Sequence, residues 1–154
     1  MDITSSHTFK GISKDTLWST LQNNEVLKSA LPGCKKFEEV EENVYDAELG
    51  INIGPVKGVF TAKVSQVDIN EPDSYRLLVE GQGKPGKFNG DAAMELVEEG
   101  DSTTLHCSAD VEVTGVLATA GQRVMSGVAK VVMGQFFKDI EKEAKKIASL
   151  LEGM

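Results

Sequence analysis

The sequence has few of the residues on which metal sites and disulfide scaffolds depend. Its 154 residues include two cysteines and two histidines, so we expect neither a disulfide-stapled scaffold nor a closed zinc site. An excess of positive charge is also absent, because 16 Lys and Arg stand against 24 Asp and Glu, which gives a net charge of −8. A surface of that sign repels phosphate backbones, and we therefore expect no nucleic-acid partner.

A long hydrophobic run is missing as well. A membrane-spanning helix requires about 20 consecutive apolar residues, whereas the most apolar stretch, 113–134, contains Arg123 and Lys130 and is interrupted by Gly127. The first ten residues mix polar and apolar side chains and do not resemble a signal peptide. We expect one cytoplasmic domain over residues 1–154, and peripheral contact with the inner face of a membrane stays open.

What the sequence does contain is a clear succession of hydrophobic patterns. Residues 2–11 alternate as a half-buried strand does, and a capping serine then begins a helix predicted over 14–22, followed by a second short helix that ends at Pro32-Gly33. Alternation returns and persists to residue 113, with no helical period between runs, so neighbouring strands should pair antiparallel around one dry face. The predicted strands are 36–40, 44–53, 57–69, 75–81, 88–97 and 103–113.

The segment 116–151 switches to helical spacing, and we expect it to form one long helix that covers the dry face of the sheet. Its first half is apolar almost all round and is interrupted by Gly121, Gly127 and Gly134. Each glycine costs about 1 kcal/mol relative to alanine in a helix interior. Such glycines indicate close approach or a need for space, so this half is expected to face a cavity or a partner.

This order of elements resembles the helix-grip fold of the SRPBCC superfamily, which includes the START lipid-transfer domains. Three sequence blocks bring the resemblance closer, to the CoxG family, the G subunit of carbon monoxide dehydrogenase. They are Leu31-Pro32-Gly33-Cys34, the stretch from Ile53 to Phe60 (IGPVKGVF), and Thr114-Gly115-Val116-Leu117-Ala118 followed by Gly121, Arg123 and Phe136-Phe137.

The resemblance implies a fold and a role. The fold is α+β, with a curved antiparallel sheet of about seven strands wrapped around a long C-terminal helix and two short helices after the first strand. The implied role is that of an accessory or membrane-recruitment factor for a molybdenum-containing hydroxylase of the carbon monoxide dehydrogenase type. The resemblance does not imply a catalytic residue, a metal or a cofactor.

Small side chains on the predicted inner surfaces indicate a hollow. Ala47, Ala62, Ala92 and Ala109 face a helix rich in glycine, and such residues cannot fill an interior to its usual density. An apolar cavity is typical of a site for a hydrophobic small molecule, here a quinone or lipid-like ligand, while a fully collapsed core is the alternative. The expected lining is Trp18, Leu31, Leu49, Ile51, Phe60, Leu77, Phe88, Met94, Leu105, Cys107, Val124, Met125 and Val128.

Catalytic and cofactor motifs are weak. The stretch from Gly81 to Gly86 has the letters of a dinucleotide fingerprint, but an alternating segment rather than a helix follows it, so it is interpreted as a turn. His106 and Cys107 are adjacent on a strand and point to opposite faces, which prevents chelation. His7 and Cys107 share the dry face, yet no carboxylate is expected there to orient the imidazole.

Two other functions therefore remain beside ligand binding. A cyclase or aromatase-type enzyme on the same fold would have to use polar groups inside the domain: His7, Tyr45, Tyr75 or Cys107. A protein-interaction module would dock a partner through the first half of the last helix. The identity of the ligand, the partner enzyme and the oligomeric state are open at this point.

Overall fold

A computed structural model of the chain describes residues 1–153. Seven strands form a single antiparallel sheet in the order β1-β7-β6-β5-β4-β3-β2. The strands are β1 (Asp2–Phe9), β2 (Cys34–Glu41), β3 (Val44–Ile53), β4 (Val56–Asn70), β5 (Ser74–Gly83), β6 (Gly86–Glu99) and β7 (Ser102–Val113). The helices are α1 (Lys14–Leu21), α2 (Asn24–Ala30), α3 (Val116–Thr119) and α4 (Gln122–Glu152). The predicted fold class is confirmed.

Capping side chains fix where the two short helices between β1 and β2 begin. The Ser13 hydroxyl accepts a hydrogen bond from the Thr16 amide at 3.2 Å and begins α1. The Asn23 side chain accepts from the amides of Glu25 and Val26, which begins α2 immediately after α1 ends. Such caps satisfy amides that have no partner within the helix, and they turn α1 and α2 toward the same face of the sheet as α4.

The glycine-rich stretch at 81–86 forms the end of the β5–β6 hairpin, as predicted. Gly83 pairs with Gly86 across a two-residue turn. A Cβ atom at Gly81 would lie 2.1 Å from Cζ of Phe88, so the ring of Phe88 lies directly over this glycine. Gly81 and Gly83 thus make room for aromatic rings, and Gly86 makes room for the backbone of Thr114.

The prediction of one unbroken helix over 116–151 is wrong at its start. The chain forms the short helix α3 and then leaves helical geometry at Gly121, whose φ of +87° lies in the left-handed region that favours glycine. The expectation that the remaining helix glycines border a cavity is wrong too, whereas a partner beside them stays a prediction. Gly127 and Gly134 lie on the exposed side of α4, and an added Cβ would meet nothing within 4 Å at either position.

The apolar core consists of three clusters between the sheet and the helices. The first cluster surrounds Trp18 and Tyr75 and joins α1, α2 and the C-terminal half of α4 to strands β5–β7. The second cluster surrounds Phe60 and takes in Leu117 and the N-terminal half of α4. The third cluster surrounds Tyr45, at the β2–β4 edge. The backbone of α4 approaches α1, α2 and β1 most closely and hardly approaches the middle strands.

Candidate ligand-binding site

Two rows of inner-facing residues cross the sheet, one through the third cluster and the other beside the first. In the first, which we call the small row, Ala47 pairs with Ala62 and Ala62 with Gly81. In the second, which we call the central row, Gln66 pairs with Leu77, Leu77 with Ala92 and Ala92 with Ala109. Directly paired residues project from the same face of a sheet. The small row therefore leaves the inner face shallow throughout, and the central row does so at Ala92 and Ala109, because these residues carry no more than a Cβ atom.

Several large apolar side chains on this inner face are only partly buried. Leu49, Ile51, Leu77 and Phe88 all retain contact with solvent, although they project toward the helices. Phe60, on the same face, is fully buried. In a close-packed interior the inner-facing side chains would all be as buried as Phe60. Solvent therefore reaches part of the surface between the sheet and the helices.

The structure divides the thirteen predicted lining residues among the clusters. Leu49 pairs with Phe60 on β4 and with Cys34 on β2, at the boundary of the second and third clusters. Val124 does not join the others, because it is 42% exposed on the outer side of α4. The first cluster contains Trp18, Leu77, Met94, Leu105 and Cys107, the second Ile51, Phe60, Phe88, Met125 and Val128, and the third Leu31.

The polar atoms of the first cluster are protonated donors. The Trp18 ring meets Tyr75 edge to face at 5.3 Å, and its Nε1–H donates to Oε1 of Glu71 at 2.7 Å. Burial raises the pKa of Tyr75 far above its ordinary value, with a smaller effect of Cys107 in the same direction. Burial also raises the pKa of the Cys107 thiol. Both groups thus stay neutral at physiological pH.

His7 has an acidic neighbour that the sequence pattern did not predict. Its Nε2 lies 3.4 Å from Oε2 of Glu141 on α4, without hydrogen-bond alignment, and its ring stacks on Phe137 at 5.6 Å. Glu141 directly follows the buried Ile140 in α4. Helical spacing therefore predicts only that Glu141 lies at the edge of the apolar side of this helix. The strand register sets Ser5, and not His7, opposite Cys107. With a thiol held neutral by burial, this arrangement does not form an activated nucleophile.

Gln66 is a second polar residue of the inner face that sequence analysis missed. Its side chain is 5% exposed, and its Oε1 is buried without a hydrogen-bond partner among the described residues. Its backbone N–H donates to the Asn43 carbonyl at 2.9 Å, which fixes the end of β4 against the β2–β3 turn. The signal was present in the sequence, because position 66 continues the inner-facing alternation of Phe60, Ala62 and Val64.

Two further hollows lie at the surface. One, of about 390 Å³, is lined largely by apolar groups where α3 and α4 meet the end of β7, among them Met1, Val113 and Met125. The other, of about 720 Å³, lies across the outer face of the sheet. Charged side chains dominate its wall, so it does not suit an apolar ligand. They are Lys36, Asp46, Glu48, Lys63, Glu80 and Lys87.

The two potential metal ligands that are adjacent in the sequence do not form a site. His106 is exposed and Cys107 is buried, as expected for neighbours on a strand that point to opposite faces. Over residues 1–153, no three His, Cys, Asp or Glu side chains come close enough to share a metal ion. None of the helices in this part of the chain combines the length and the apolar character needed to cross a membrane.

The sequence matches the profile of CoxG, the G subunit of carbon monoxide dehydrogenase, over residues 11–145. The chain belongs to the CoxG family. The structure of a conserved protein from Geobacillus kaustophilus is similar to it, with 37% identity, a TM-score of 0.91, and coverage of 95% of this chain and 96% of that one. A START superfamily protein from Mycobacterium smegmatis shares the fold at 14% identity and a TM-score of 0.73, over 95% and 98% of the two chains. A search of the curated proteins returned no match.

The CoxG sequence blocks build the turns of this fold. The carbonyl of Gly33 accepts a hydrogen bond from the amide of Gly50 at 2.8 Å, in a contact too close for any side chain at Gly33. The two residues between Ile53 and Val56 close the β3–β4 hairpin. Gly115 lies against Gly86, so the chain enters α3 next to the β5–β6 turn. The glycines and prolines of these blocks thus shape the turns of the sheet, whereas their apolar members, such as Phe60 and Leu117, belong to the core.

Proposed function

We propose that this CoxG protein is a non-catalytic binding protein for a hydrophobic small molecule of the quinone or lipid type. The ligand would lie between the inner face of the sheet and α4. In this role the protein would serve as an accessory factor of a molybdenum-containing hydroxylase of the carbon monoxide dehydrogenase type. The partner is inferred from the family alone, and no residue of the chain is assigned to that contact.

One observation carries the ligand proposal. Leu77, Ala92 and Ala109 occupy the adjacent strands β5, β6 and β7, inside the edges of the sheet, and face the helices, yet all three are only partly buried. The centre of a covered sheet is normally its driest part. An apolar guest along the central row would remove these side chains from water, and each Å² of apolar surface so buried contributes about 25 cal/mol.

Ligand binding is favoured over catalysis of the cyclase or aromatase type. Such an enzyme needs a group that exchanges a proton or stabilises charge on the substrate near neutral pH. Burial raises the pKa of Tyr75 and of Cys107 away from that range. Burial, together with the neighbouring Glu39 carboxylate, also raises the pKa of Tyr45. His7 faces Glu141 and Phe137 at the margin of the first cluster. A catalytic site on the central row would need a second polar group that can exchange a proton, in addition to the neutral amide of Gln66.

The exposed side of α4 supports peripheral recruitment to a membrane surface. Val124 and Val131 on α4 are 42% and 44% exposed, and Val116 on the preceding α3 is 67% exposed. Residues 113–138 include Arg123, Lys130 and Lys138 and no acidic residue, although the whole chain carries −8. Exposed apolar groups flanked by cations are typical of segments that lie against anionic lipid. In this proposal the protein is cytoplasmic and meets the inner face of the membrane through this side of the helix.

The ligand proposal is tested with decylubiquinone, a short-tailed quinone, by native mass spectrometry and fluorescence titration of the purified protein. We expect one quinone per chain. Ala92→Phe, which fills the central row, should weaken binding at least tenfold, whereas Ala93→Phe, its neighbour on the outer face of β6, should bind as the unaltered protein does. Absence of quinone binding by the unaltered protein, or equal binding by the two variants, would contradict the proposal.

A further inference from the structure

The central row ends on a polar atom that nothing in residues 1–153 satisfies. Oε1 of Gln66 is buried and has no hydrogen-bond partner in this range, and the whole side chain is only 5% exposed. Buried polar atoms are almost always hydrogen-bonded, and an orphaned one costs free energy that a packed apolar side chain would not. The Oε1 atom of this glutamine therefore requires a hydrogen-bond donor from outside the described residues.

The register places this amide at one end of the proposed ligand site. Gln66 lies on the same face as Leu77, Ala92 and Ala109 and one strand away from the nearest of them. Adjacent strands are about 4.8 Å apart, so the row extends roughly 14 Å from the amide along an apolar surface. A polar group at one end of an apolar trough fixes the orientation of a ligand.

The other polar groups on the inner side have other roles or other places. Tyr45, on the adjacent strand β3, pairs with Val64 and stacks on Phe37 in the third cluster. The Trp18 indole N–H, a donor in the neighbouring first cluster, is used by Glu71. The phenol of Tyr75 is one inner-facing position away from Leu77 and meets Trp18 edge to face. Gln22, whose Nε2 is also buried without a partner among the described residues, lies at the C-terminus of α1, not on the sheet. Gln66 is thus the polar residue that belongs to the central row itself.

We propose that Gln66 is the specificity-determining residue of the ligand site and that its Oε1 accepts a hydrogen bond from a hydroxyl group of the ligand. The inference depends on the proposed function. Within the proposed ligand class it favours molecules with a hydroxyl at one end, such as phenols, the quinol form of a quinone, or long-chain alcohols, and these should bind more tightly than the oxidised quinones. Hydrocarbons and molecules with carbonyl groups alone lack the donor that this atom requires.

The experiment compares the dissociation constants of 1-naphthol and naphthalene by fluorescence titration. The unaltered protein should bind 1-naphthol about five- to tenfold more tightly, the usual value of one buried neutral hydrogen bond. Gln66→Leu, close in size and without the amide, should bind both probes equally and should keep the affinity for naphthalene. Gln66→Met serves as a second variant of similar volume if Gln66→Leu fails to fold. Gln22→Leu is the matched control and should retain the preference.

The outcomes separate this inference from the proposed function. If the unaltered protein binds neither probe, the ligand site itself is disproved and the role of Gln66 with it. Tight binding of naphthalene with no preference for 1-naphthol, or a preference that survives in both Gln66 variants, overturns the role of Gln66 alone. A Gln66-dependent preference for 1,4-naphthoquinone over naphthalene overturns the assignment of a hydroxyl ligand.

1-Decanol, added as a competitor, distinguishes the two sources of a hydroxyl group. Displacement of 1-naphthol that depends on Gln66 supports the inference and extends the ligand class to lipid alcohols. Displacement that is the same in Gln66→Leu shows that the alcohol binds without the amide, which contradicts the inference for aliphatic ligands.

Discussion

Tyr75 shows at the scale of one residue how dry the covered part of the inner face is. Its ring is 3% exposed and packs edge to face on Trp18. Burial raises the pKa of its phenol because the charged form would lose its hydration. The same cause acts on the Cys107 thiol, and together the two groups define a wall that carries hydroxyl and thiol groups but no charge.

The raised pKa of Tyr75 predicts a specific loss of stability in alkali. The unfolded chain releases this proton near pH 10 and the folded chain does so only at higher pH, so the folded state binds more protons above pH 10 and loses stability as the pH rises. The contribution of this one group is about 1.4 kcal/mol per pH unit above pH 10. Urea unfolding of Tyr75→Phe between pH 9 and 11.5 should show a shallower decline than that of the unaltered protein. Identical slopes would show that this phenol ionises freely in the folded state.

At the scale of elements, the strands could be predicted because alternation and turn residues agree along the chain. The predicted run 44–53 coincides with β3. The strands β2 and β4–β7 extend the predicted runs by one or two residues at nearly every end, whereas β1 ends two residues before the predicted run 2–11. The helix after β7 was predicted less well. Hydrophobic spacing continues through Gly121, and nothing in that spacing shows that the backbone there adopts a φ of +87°. Backbone conformation at a glycine is set by the two helices that it joins.

Substitution of Gly121 or Gly127 by alanine is expected to change the free energy of unfolding in opposite directions. Gly121→Ala places a side chain in the left-handed region, and we expect a loss of about 1 kcal/mol or more in the free energy of unfolding. Gly127 lies inside α4 with open space around it, so Gly127→Ala should stabilise the protein by about 1 kcal/mol. Both are measured by urea unfolding of the purified variants. Stabilisation by both substitutions would indicate that α3 and α4 form one helix in solution.

At the scale of the whole molecule, the inner face that carries the proposed site could be inferred from the sequence, whereas Gln66, the polar residue at the end of the central row, could not. Ala92 and Ala109 were assigned to the inner face from alternation, and the register pairs them directly. Gln66 and Glu141 were missed because their importance depends on contacts between distant segments: an amide left without a partner among the described residues, and a carboxylate brought to His7 from α4. A single sequence shows which face a residue occupies but not which atoms across that face remain unpaired.

The distribution of charge over the molecule leads to the last prediction. The protein carries −8 overall, whereas α4 has six basic and four acidic side chains, and residues 113–138 have no acidic ones. Recruitment through this side should therefore depend on both charge and apolar contact. In vesicle sedimentation we expect binding to phosphatidylglycerol-containing vesicles at low salt and much weaker binding at 0.5 M salt, since the Debye length falls to about 4 Å.

The variants for this test follow from the exposed side of α4. Val124→Glu with Val131→Glu removes two apolar contacts and adds two negative charges, so sedimentation with the vesicles should fall at least tenfold. Both positions are already solvent-exposed, so the thermal midpoint should hardly change. Ala93→Glu with Asn89→Glu adds the same charge on the outer face of β6 and is the matched control. Equal losses in the two double variants would show that net charge alone governs association, and the helix would then have no special part in it.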